Sequence, residues 1–516
     1  MLKQIAILLA GLVLVAAIAI LAGRWLYPLP DIAGRATDLS LPFDPATPLA
    51  RRAVEEMGGH GSESGVIPLA GGHDALGSRL ALAVNAERSI DAQYYIWHDD
   101  TSGRLLLKAL YDAAQRGVQV RLLLDDNGVP GLDDVMAALN AQDNFEIRLF
   151  NPSTIRKPKL AGYALDFMRM NRRMHNKSFI VDGAAAIIGG RNIGDEYFQV
   201  GDENYYLDMD VLAFGQVVGE TAAIFDDYWN SASVFAVDQI IAGQGDLDAF
   251  LKSVAATAQT DAAKTLVGQL ETSASRFQSG DVKPEITRVQ VVADDPIKGL
   301  GLASRDQLMI TRLSAILGGV ENGIDLVSAY FVPGQQGTKF FGDLARSGKR
   351  VRVLTNALNT TDVLVVHAGY TKYRRELLKA GVALFELKLR AQQQPGRDEL
   401  KHFGLSGAAL HAKTFSVDDK RVFIGSFNFD PRSALLNCEM GFLIDSPGMA
   451  RRISQGFDGP LRLTSYQPVL TLDGQMAWTE ILPNGKLGIY QQEPGASWFK
   501  QVAIVVIGLL PVEWLL

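Results

Sequence analysis

Short apolar stretches and amphipathic stretches alternate along the first half of the chain. Residues 89–97 (SIDAQYYIW) alternate between apolar and polar positions and are rich in side chains that favour strands. Residues 103–116 have the spacing of a helix that Gly117 closes, and residues 118–126 (VQVRLLLDD) form an apolar run that ends in two aspartates. A strand, a helix and a second buried strand predict parallel strands with a covering helix, which places the chain in the α/β class.

The second half of the chain repeats this order of elements. Asp91 and Asp325 occupy matching positions in their predicted strands, and His175 and His411 are separated by nearly the same number of residues. Two pairs of residues at distant positions with nearly equal separations along the chain indicate a duplicated domain. The predicted elements of the second half are a strand at 287–296, a helix at 308–317, a strand at 323–332, a helix at 338–347 and a strand at 351–358.

Two stretches near the ends of the chain are strongly apolar. Residues 5–22 (IAILLAGLVLVAAIAILA) approach the length that spans a bilayer. They predict an uncleaved anchor, with a cleaved signal peptide as the alternative because the small residues at 17–19 resemble a cleavage site. Residues 497–516 form a shorter, interrupted apolar run, which suits either an interfacial membrane contact or burial against the domain.

These patterns divide the chain into six predicted segments. They are an anchor or signal sequence at 1–26, a tether rich in proline and small residues at 27–63, a first lobe at 64–234, a helical connector at 235–285, a second lobe at 286–450 and a C-terminal extension with an apolar, membrane-contacting tail at 451–516.

The composition and the net charge disfavour some binding partners and exclude some kinds of site. The chain has 516 residues, of which 47% are hydrophobic, and a net charge of −7. A protein that binds nucleic acid usually carries a basic excess, so the acidic balance disfavours that partner. Cys438 is the single cysteine, which excludes an intrachain disulfide and a cysteine-based metal site.

One motif occurs twice, at 171–192 (NRRMHNKSFIVDGAAAIIGGRN) and at 407–428 (GAALHAKTFSVDDKRVFIGSFN). Both copies contain a histidine, a lysine two residues later, an aspartate seven residues later, a glycine and an asparagine at the same spacings. The residues in register are His175, Lys177, Asp182, Gly189 and Asn192 in the first copy, and His411, Lys413, Asp418, Gly425 and Asn428 in the second.

The motif has the chemistry of a phosphate site. In a strand the histidine and the lysine share a face, whereas Asp182 and Asp418 fall where the strand turns back. Burying two lysines for packing alone would be costly, and an anionic ligand removes that cost. Asn192 and Asn428 could donate amide hydrogens into the same space. We expect no metal, since the motif carboxylates are few and lie in turns. One histidine would attack phosphorus and the other would protonate the leaving alcohol.

Each histidine needs a partner for its second ring nitrogen. Glu439 follows His411 in an apolar strand and is the predicted partner of His411. In the first lobe, Glu203 has the same spacing from His175, but Asp208 matches the strand context better and is the preferred partner.

Longer stretches around the motifs resemble the phospholipase D superfamily, and within it the C-type bacterial cardiolipin synthases. They include DAQYYIWHDDTSGRLL, RLLLDDNGVPGLDD, IIGGRNIGDEYF and FIGSFNFDPRS. The resemblance implies two homologous α/β/α lobes about a pseudo-two-fold axis, with one active site between them. It also implies a phosphatidyl-histidine intermediate, no cofactor, and an active-site set made of the histidine, lysine and aspartate of both motifs.

The leading hypothesis is therefore a cardiolipin synthase with an N-terminal transmembrane helix in the bacterial inner membrane. It would transfer a phosphatidyl group from phosphatidylethanolamine or phosphatidylglycerol to phosphatidylglycerol, and the resemblance implies an assisting partner protein. A phospholipase D-type hydrolase is the first alternative and a phosphodiesterase on nucleic acid is the second. A catalytically inactive membrane scaffold is the alternative from another class. The intact motifs in both halves argue against it, because such a protein would have been free to lose a histidine or a lysine of one motif. The nucleophilic histidine and the side of the membrane stay open.

Overall fold

Two mixed β-sheets, one in each half of the chain, form the framework of the protein. The structure, a computed structural model, describes residues 2–201, 205–278, 282–388, 409–510 and 513–515. Apolar side chains from both sheets and their helices form the main buried clusters. The two-lobed α/β fold predicted from the duplicated pattern is confirmed.

The sheet of lobe 1 has nine strands in the spatial order β10-β1-β8-β6-β5-β2-β3-β4-β9. Its centre, β2-β3-β4, is parallel, as the strand–helix–strand pattern predicts, and all other neighbours are antiparallel. The strands are β1 (Ser64–Leu69), β2 (Ser89–Tyr94), β3 (Gln119–Asp125), β4 (Phe145–Phe150), β5 (Ser178–Val181), β6 (Ala185–Gly189), β8 (Asp210–Gly215), β9 (Val234–Ala236) and β10 (Glu285–Thr287).

The sheet of lobe 2 has ten strands in the order β11-β18-β17-β16-β12-β13-β14-β19-β20-β21, again with a parallel centre, β12-β13-β14. Seven neighbouring strands follow the order of lobe 1, so the duplication extends to the topology. The strands are β11 (Val289–Ala293), β12 (Gly323–Ser328), β13 (Arg350–Asn356), β14 (Ala383–Leu387), β16 (Lys413–Val417), β17 (Arg421–Gly425), β18 (Met440–Ile444), β19 (Ser465–Leu470), β20 (Met476–Ile481) and β21 (Leu487–Tyr490).

Helices cover both sheets, and their amphipathic spacing explains which face each one buries. In lobe 1 and the predicted connector they are α3 (Gly72–Asn85), α4 (Thr101–Gln115), α5 (Asp133–Asn140), α6 (Lys159–Met170), α7 (Asp195–Phe198), α8 (Gln216–Trp229), α9 (Val237–Ile240), α10 (Leu247–Ala258) and α11 (Asp261–Gln278). In lobe 2 they are α12 (Met309–Gly318), α13 (Gly334–Arg346), α14 (Leu364–Lys379), α15 (Pro431–Leu435), α16 (Pro447–Asp458) and α17 (Pro460–Thr464).

The matching aspartates on β2 and β12 have the same structural role. Asp91 accepts a hydrogen bond at 2.7 Å from Nε of Arg121 on the parallel neighbour β3. Asp325 accepts one at 2.6 Å from Nε of Arg352 on β13. These buried ion pairs hold the parallel strands of both lobes, which explains why the two aspartates are in register.

The segment predicted as a tether, 27–63, differs from that prediction because it lies against lobe 1. It contains α2 (Pro48–Met57), which Thr47 caps by accepting a hydrogen bond from Ala50. Arg35 donates to the backbone carbonyl of Asn230 at 2.8 Å, and Arg121 reaches the hydroxyl of Ser40 at 2.8 Å. Proline and small residues therefore mark an extended segment bound along the lobe.

The chain ends carry α1 (Leu2–Leu26) and α18 (Trp498–Leu509). Within the described part of the chain, no helix combines the length and the apolar character needed to cross a membrane. The anchor at 1–26 stays a prediction. The C-terminal extension adds β19, β20 and β21 to the sheet of lobe 2, and α18 leaves large apolar side chains in solvent.

Candidate active site

The residues just before β5 leave the sheet of lobe 1 and pair with lobe 2. The strand predicted to contain His175 and Lys177 begins only at Ser178. Met174 forms a parallel bridge with Cys438, and the backbone N–H of His175 donates to the carbonyl of Cys438 at 2.8 Å. The first histidine is therefore placed by a backbone contact between the lobes.

The second motif makes the reciprocal contact, from lobe 2 to lobe 1. A short strand, β15 (Ala409–Leu410), pairs in parallel with β7 (Tyr206–Leu207) of lobe 1. The backbone N–H of His411 donates to the carbonyl of Leu207 at 2.8 Å. Each histidine thus binds the backbone just before a sheet strand of the other lobe, β18 for His175 and β8 for His411.

Because each motif segment contacts the opposite lobe, each histidine pairs with a carboxylate of that lobe. Nδ1 of His175 lies 2.8 Å from Oε2 of Glu439, and Nδ1 of His411 lies 2.5 Å from Oδ2 of Asp208. The prediction that Asp208 and Glu439 orient the histidines agrees with this geometry, but the predicted pairing within each lobe is wrong. The partners are exchanged because each motif segment pairs with the opposite lobe. Glu203, the other candidate, lies outside the described residues.

Both motif lysines are buried at the same place. Nζ of Lys177 donates to the carbonyl of His175 at 2.6 Å, and Nζ of Lys413 donates to the carbonyl of His411. Burial lowers the pKa of Lys177 to about 7; Glu439 opposes the shift and Lys413 adds to it. Burial also lowers the pKa of Lys413. Lys177 is therefore held close to losing its charge, and an anion bound beside either lysine would favour the charged form.

The two histidine–carboxylate pairs differ in their electrostatics. Burial, and then the positive charge of Lys177, lowers the pKa of His175 well below its usual value, while burial raises the pKa of Glu439 to about 7. Burial acts to raise the pKa of Asp208, but His411 beside it brings that pKa down to about 2. Burial lowers the pKa of His411, and Asp208 works against that shift. Burial therefore favours the neutral form of both imidazoles, and Asp208, whose pKa is the lower of the two carboxylates, is the one better suited to stabilise an imidazolium.

Tyrosine rings enclose both imidazoles. Tyr95 lies edge-on to His175 with ring centroids 5.0 Å apart. Tyr197 and Tyr206 contact the ring of His411, with centroids 5.2 and 5.1 Å apart. These tyrosines were not predicted from the sequence. The available signal was a pair of adjacent tyrosines at 94–95 and another at 205–206, whereas Tyr197 lies on α7 outside any such pair. These ring contacts contribute to the burial of the two imidazoles, which are 7% and 6% exposed.

Asp182 and Asp418, which the family resemblance placed in the active-site set, lie in the hairpin turns and bind backbone. The carboxylate of Asp182 accepts the N–H groups of Arg88 at 2.8 Å and of Ser89 at 2.9 Å. Asp418 accepts three N–H groups at the start of β12 in the same way. Both aspartates have left-handed backbone angles, as their position in a turn suggests. They fix the motif hairpin to the neighbouring strand and are positioning residues.

The motif glycines allow neighbouring strands to pack closely. A Cβ on Gly189 would lie 2.0 Å from the carboxylate of Asp210, and one on Gly425 would lie 2.4 Å from the carbonyl of Met440. Any side chain at either position would separate these neighbouring strands.

The motif asparagines hold the loops that follow β2 and β12. Asn192 accepts the N–H of Ile96 at 3.2 Å and donates to the hydroxyl of Tyr197 at 2.8 Å. Asn428 accepts the N–H of Tyr330 at 3.4 Å. Their predicted binding of phosphate stays a prediction, and Asn192 contributes through Tyr197, which contacts His411.

One group of residues in the described ranges has atoms close enough to share a metal ion, namely His98, Asp100 and Glu196, whose ligand atoms lie within 4.8 Å of one another. Asp100 already caps α4 through the N–H of Gly103 at 2.9 Å, and Glu196 lies 3.2 Å from the ring of His98. These contacts stabilise the local loops, and they account for the closeness of the three side chains.

The arrangement can perform phosphoryl transfer. With both Nδ1 atoms held by carboxylates, both Nε2 atoms are available for chemistry. His175 feels the charges of Lys177, Lys413 and His411, so the four groups share one buried space. Two cations beside a neutral imidazole and a second, carboxylate-supported imidazole suit attack on a phosphodiester.

Comparison with known proteins agrees with this architecture. A profile described as the cardiolipin synthase, PLD-like domain matches residues 80–229 and 314–460. Cardiolipin synthase C of Escherichia coli is 43% identical over 460 residues, which cover 89% of this chain and 97% of that protein. Cardiolipin synthase 2 of Staphylococcus epidermidis is 26% identical over 395 residues, which cover 76% of this chain and 67% of that protein.

The crystal structure of phosphatidylserine synthase from Haemophilus influenzae has the same fold, with a TM-score of 0.53 at 13% identity, covering 90% of this chain and 99% of that one. Fold, repeated motif and sequence similarity lead to one conclusion. The chain belongs to the cardiolipin synthase family of phospholipase D-like proteins.

Proposed function

We propose that this protein synthesises cardiolipin by transferring a phosphatidyl group from phosphatidylethanolamine or phosphatidylglycerol to the headgroup hydroxyl of phosphatidylglycerol. The observation that carries the proposal is the pair of buried histidines, His175 and His411, each held by a carboxylate of the opposite lobe. A single site with two such pairs provides a nucleophile and a general acid for one phosphodiester.

The geometry and electrostatics favour His175 as the nucleophile. Nε2 of His175 attacks phosphorus, and the P–O bond to the donor headgroup breaks as a P–N bond forms. His411 gives its proton to the leaving oxygen, with Asp208 stabilising the imidazolium before transfer. Lys177 and Lys413 balance the charge on the phosphoryl oxygens. In the second half-reaction, His411 takes the proton from the glycerol hydroxyl of phosphatidylglycerol as that oxygen displaces His175.

Hydrolysis is the second candidate, since water could take the place of the glycerol hydroxyl with the same residues. The tyrosines around the imidazoles favour transfer because they shield the intermediate from water. The acidic net charge of −7 disfavours a nucleic acid substrate.

We also propose that the protein works at the bacterial inner membrane. The phospholipid substrates support this location, as does the apolar run at 5–22. On α18, the side chains of Trp498, Phe499 and Leu509 are each more than 60% exposed, which is costly in water but suits an interfacial contact. An assisting partner protein is part of the proposal only through the family resemblance.

The test incubates the purified protein with phosphatidylglycerol, with and without phosphatidylethanolamine, in the presence of EDTA, and resolves the lipids by mass spectrometry. Cardiolipin formation that survives chelation supports a metal-independent transferase. Phosphatidic acid as the sole product would replace transfer with hydrolysis.

Histidine variants test the mechanism in the same assay. His175→Ala and His411→Ala are expected to abolish product, whereas His60→Ala, an exposed histidine in the segment 27–63, serves as the matched control. Unchanged turnover in either motif variant would exclude the mechanism.

A further inference from the structure

A buried ion pair lies beside the carboxylate that holds His175, and the proposed mechanism does not use it. Asp294 follows β11, and Lys298 lies on the short 3-10 helix Pro296–Leu300 that comes next. Nζ of Lys298 donates to Oδ2 of Asp294 at 2.8 Å, and both residues are 1% exposed. Because removing two charges from water is costly, such a pair is weak evidence for stability, and its contacts indicate what else it does.

Asp294 binds both backbone polar groups of Glu439. Its own N–H donates to the carbonyl of Glu439 at 2.9 Å, and its Oδ2 accepts the N–H of Glu439 at 2.9 Å. The same Oδ2 accepts the ammonium of Lys298, and Oδ1 accepts the N–H of Met309 at the start of α12 at 2.7 Å. The ion pair is therefore joined directly to the residue that orients the imidazole.

Lys298 acts on Glu439 from a second direction. Its Nζ also donates to the carbonyl of Ser433 on α15 at 2.9 Å, and Ser433 is itself a hydrogen-bond partner of Glu439. Burial raises the pKa of Glu439 to about 7, and the charges of Lys177 and Lys298 oppose that rise, as does the hydroxyl of Ser426. Lys298 thus contributes both to the placement of Glu439 and to its charge.

The carboxylate of the other pair has a different support. The carbonyl of Asp208 accepts a hydrogen bond from Arg191 at 2.6 Å. Arg191 lies 3.5 Å from Asp210, which also pairs with Arg79 at 2.9 Å. Two arginines therefore share one carboxylate beside Asp208, whereas the ion pair beside Glu439 joins one cation to one anion. The two duplicated pairs differ in the balance of charge that surrounds them.

We propose that Lys298 and Asp294 are positioning residues that together set the protonation state of Glu439, and through it the form of His175 that attacks phosphorus; this rests on the proposed function. An anionic Glu439 accepts the Nδ1 proton of His175 and leaves Nε2 free to attack, whereas a protonated Glu439 does not. Lys298 favours the anion, and Asp294 limits that effect. The other charged or titratable groups that act on Glu439 are His175, Lys177, Lys413 and Asp430.

The test measures kcat against pH for a p-nitrophenyl phosphodiester, whose turnover does not depend on cardiolipin formation. The readout is the acidic limb of the profile, on which kcat falls as Glu439 gains a proton. Lys298→Met removes a cation near Glu439 and should move this limb up by about one pH unit. Asp294→Asn removes the anion that balances Lys298 and should move the limb down. We expect opposite shifts from the two partners of one ion pair.

Two further variants separate this role from a purely structural one. Lys298→Arg keeps the charge and should return the limb close to its wild-type position. Lys388→Met is the matched control, since it removes a buried lysine from an ion pair with Glu480. It should lower the thermal unfolding midpoint and leave the limb in place.

The position of the limb does not depend on how much of a sample is folded. A limb that stays in place in Lys298→Met, or that moves the same way in Lys298→Met and Asp294→Asn, would overturn the proposal. If Lys298→Met does not fold, the direction of the shift in Asp294→Asn decides. Shifted limbs in a protein that forms no cardiolipin from phosphatidylglycerol would instead refute the proposed transferase and support the role of the ion pair.

Discussion

Nδ1 of His175 lies 2.8 Å from the carboxylate of Glu439, a residue that belongs to the other lobe. The reciprocal contact joins His411 to Asp208. Neither motif copy can therefore form its own histidine–carboxylate pair, and half of the duplicated chain would hold an unsupported histidine. The exchange explains why one chain carries the motif twice.

The exchanged carboxylates should have separable effects on catalysis. With a phospholipid donor, Glu439→Gln and Asp208→Asn should each lower kcat about 10²- to 10⁴-fold, because a misoriented imidazole loses its acid–base role. With a p-nitrophenyl phosphodiester, whose leaving group needs little protonation, Asp208→Asn should lose less than about tenfold while Glu439→Gln stays impaired. Release of p-nitrophenol measures this. The opposite pattern would make His411 the nucleophile.

Much of the fold follows from the sequence because it depends on local pattern. The parallel central strands and the duplicated order were readable from apolar runs and from Asp91 and Asp325, which repeat a buried ion pair. The closeness of His175 to Glu439 was not readable in that way. Spacing along the chain reports neighbours within one lobe, whereas this contact depends on a backbone bridge between lobes.

The tyrosines around His411 were missed for a similar reason. Tyr197 lies on α7 and Tyr206 on β7, and neither belongs to a motif, so only the folded chain brings them to His411. Asp182 shows the reverse case. Its motif suggested chemistry, but its position in a turn already indicated the structural role that its backbone contacts show.

Anion affinity should depend on pH through the buried lysines. Lys177 has a pKa of about 7 in the empty site, and an anion binds its charged form, so affinity should fall as the pH rises above about 7. Glu439, with a pKa of about 7, becomes negative in the same range and acts in the same direction. Competitive inhibition by sulfate, which does not titrate here, should weaken up to about tenfold per pH unit. Lys177→Met should bind sulfate weakly and with a flatter profile. Constant inhibition between pH 6 and about 9 would contradict the lowered pKa.

The motif aspartate of lobe 1 should affect stability more than chemistry. Asp182→Ala leaves buried N–H groups without an acceptor and should cost about 2–4 kcal/mol of unfolding free energy. Activity per folded molecule should change little. Asp418→Ala, at a more exposed turn, should cost about 1–2 kcal/mol and is the internal comparison. Thermal unfolding and kcat measured on the same samples check this. Lost activity at an unchanged midpoint would give Asp182 a role in catalysis.

The segment 27–63 should be released when its anchor in lobe 1 is removed. Arg121 joins Asp91 to Asp226 and reaches Ser40, so Arg121→Met leaves buried carboxylates unpaired at a cost of about 3–5 kcal/mol. Limited trypsin digestion should then cut this segment earlier than in wild type. Arg116→Met, which replaces an exposed arginine at the end of α4, is the control and should leave the rate of cleavage within 27–63 unchanged. Equal digestion in both variants would mean that the segment is held by other contacts.

The exposed apolar face of α18 should matter for lipid in a bilayer and not for dissolved lipid. Phe499→Asp and Val506→Asp each place a charge where a large apolar side chain is more than half exposed. Because burying such a side chain is worth about 1.5–3 kcal/mol, each variant should lower turnover of vesicle-bound phospholipid by about tenfold or more. Turnover of a dissolved short-chain phospholipid should stay within about twofold. Val84→Asp, at a valine on α3 that is 63% exposed, controls for surface charge. Equal turnover on vesicles for all three variants would remove α18 from the membrane contact.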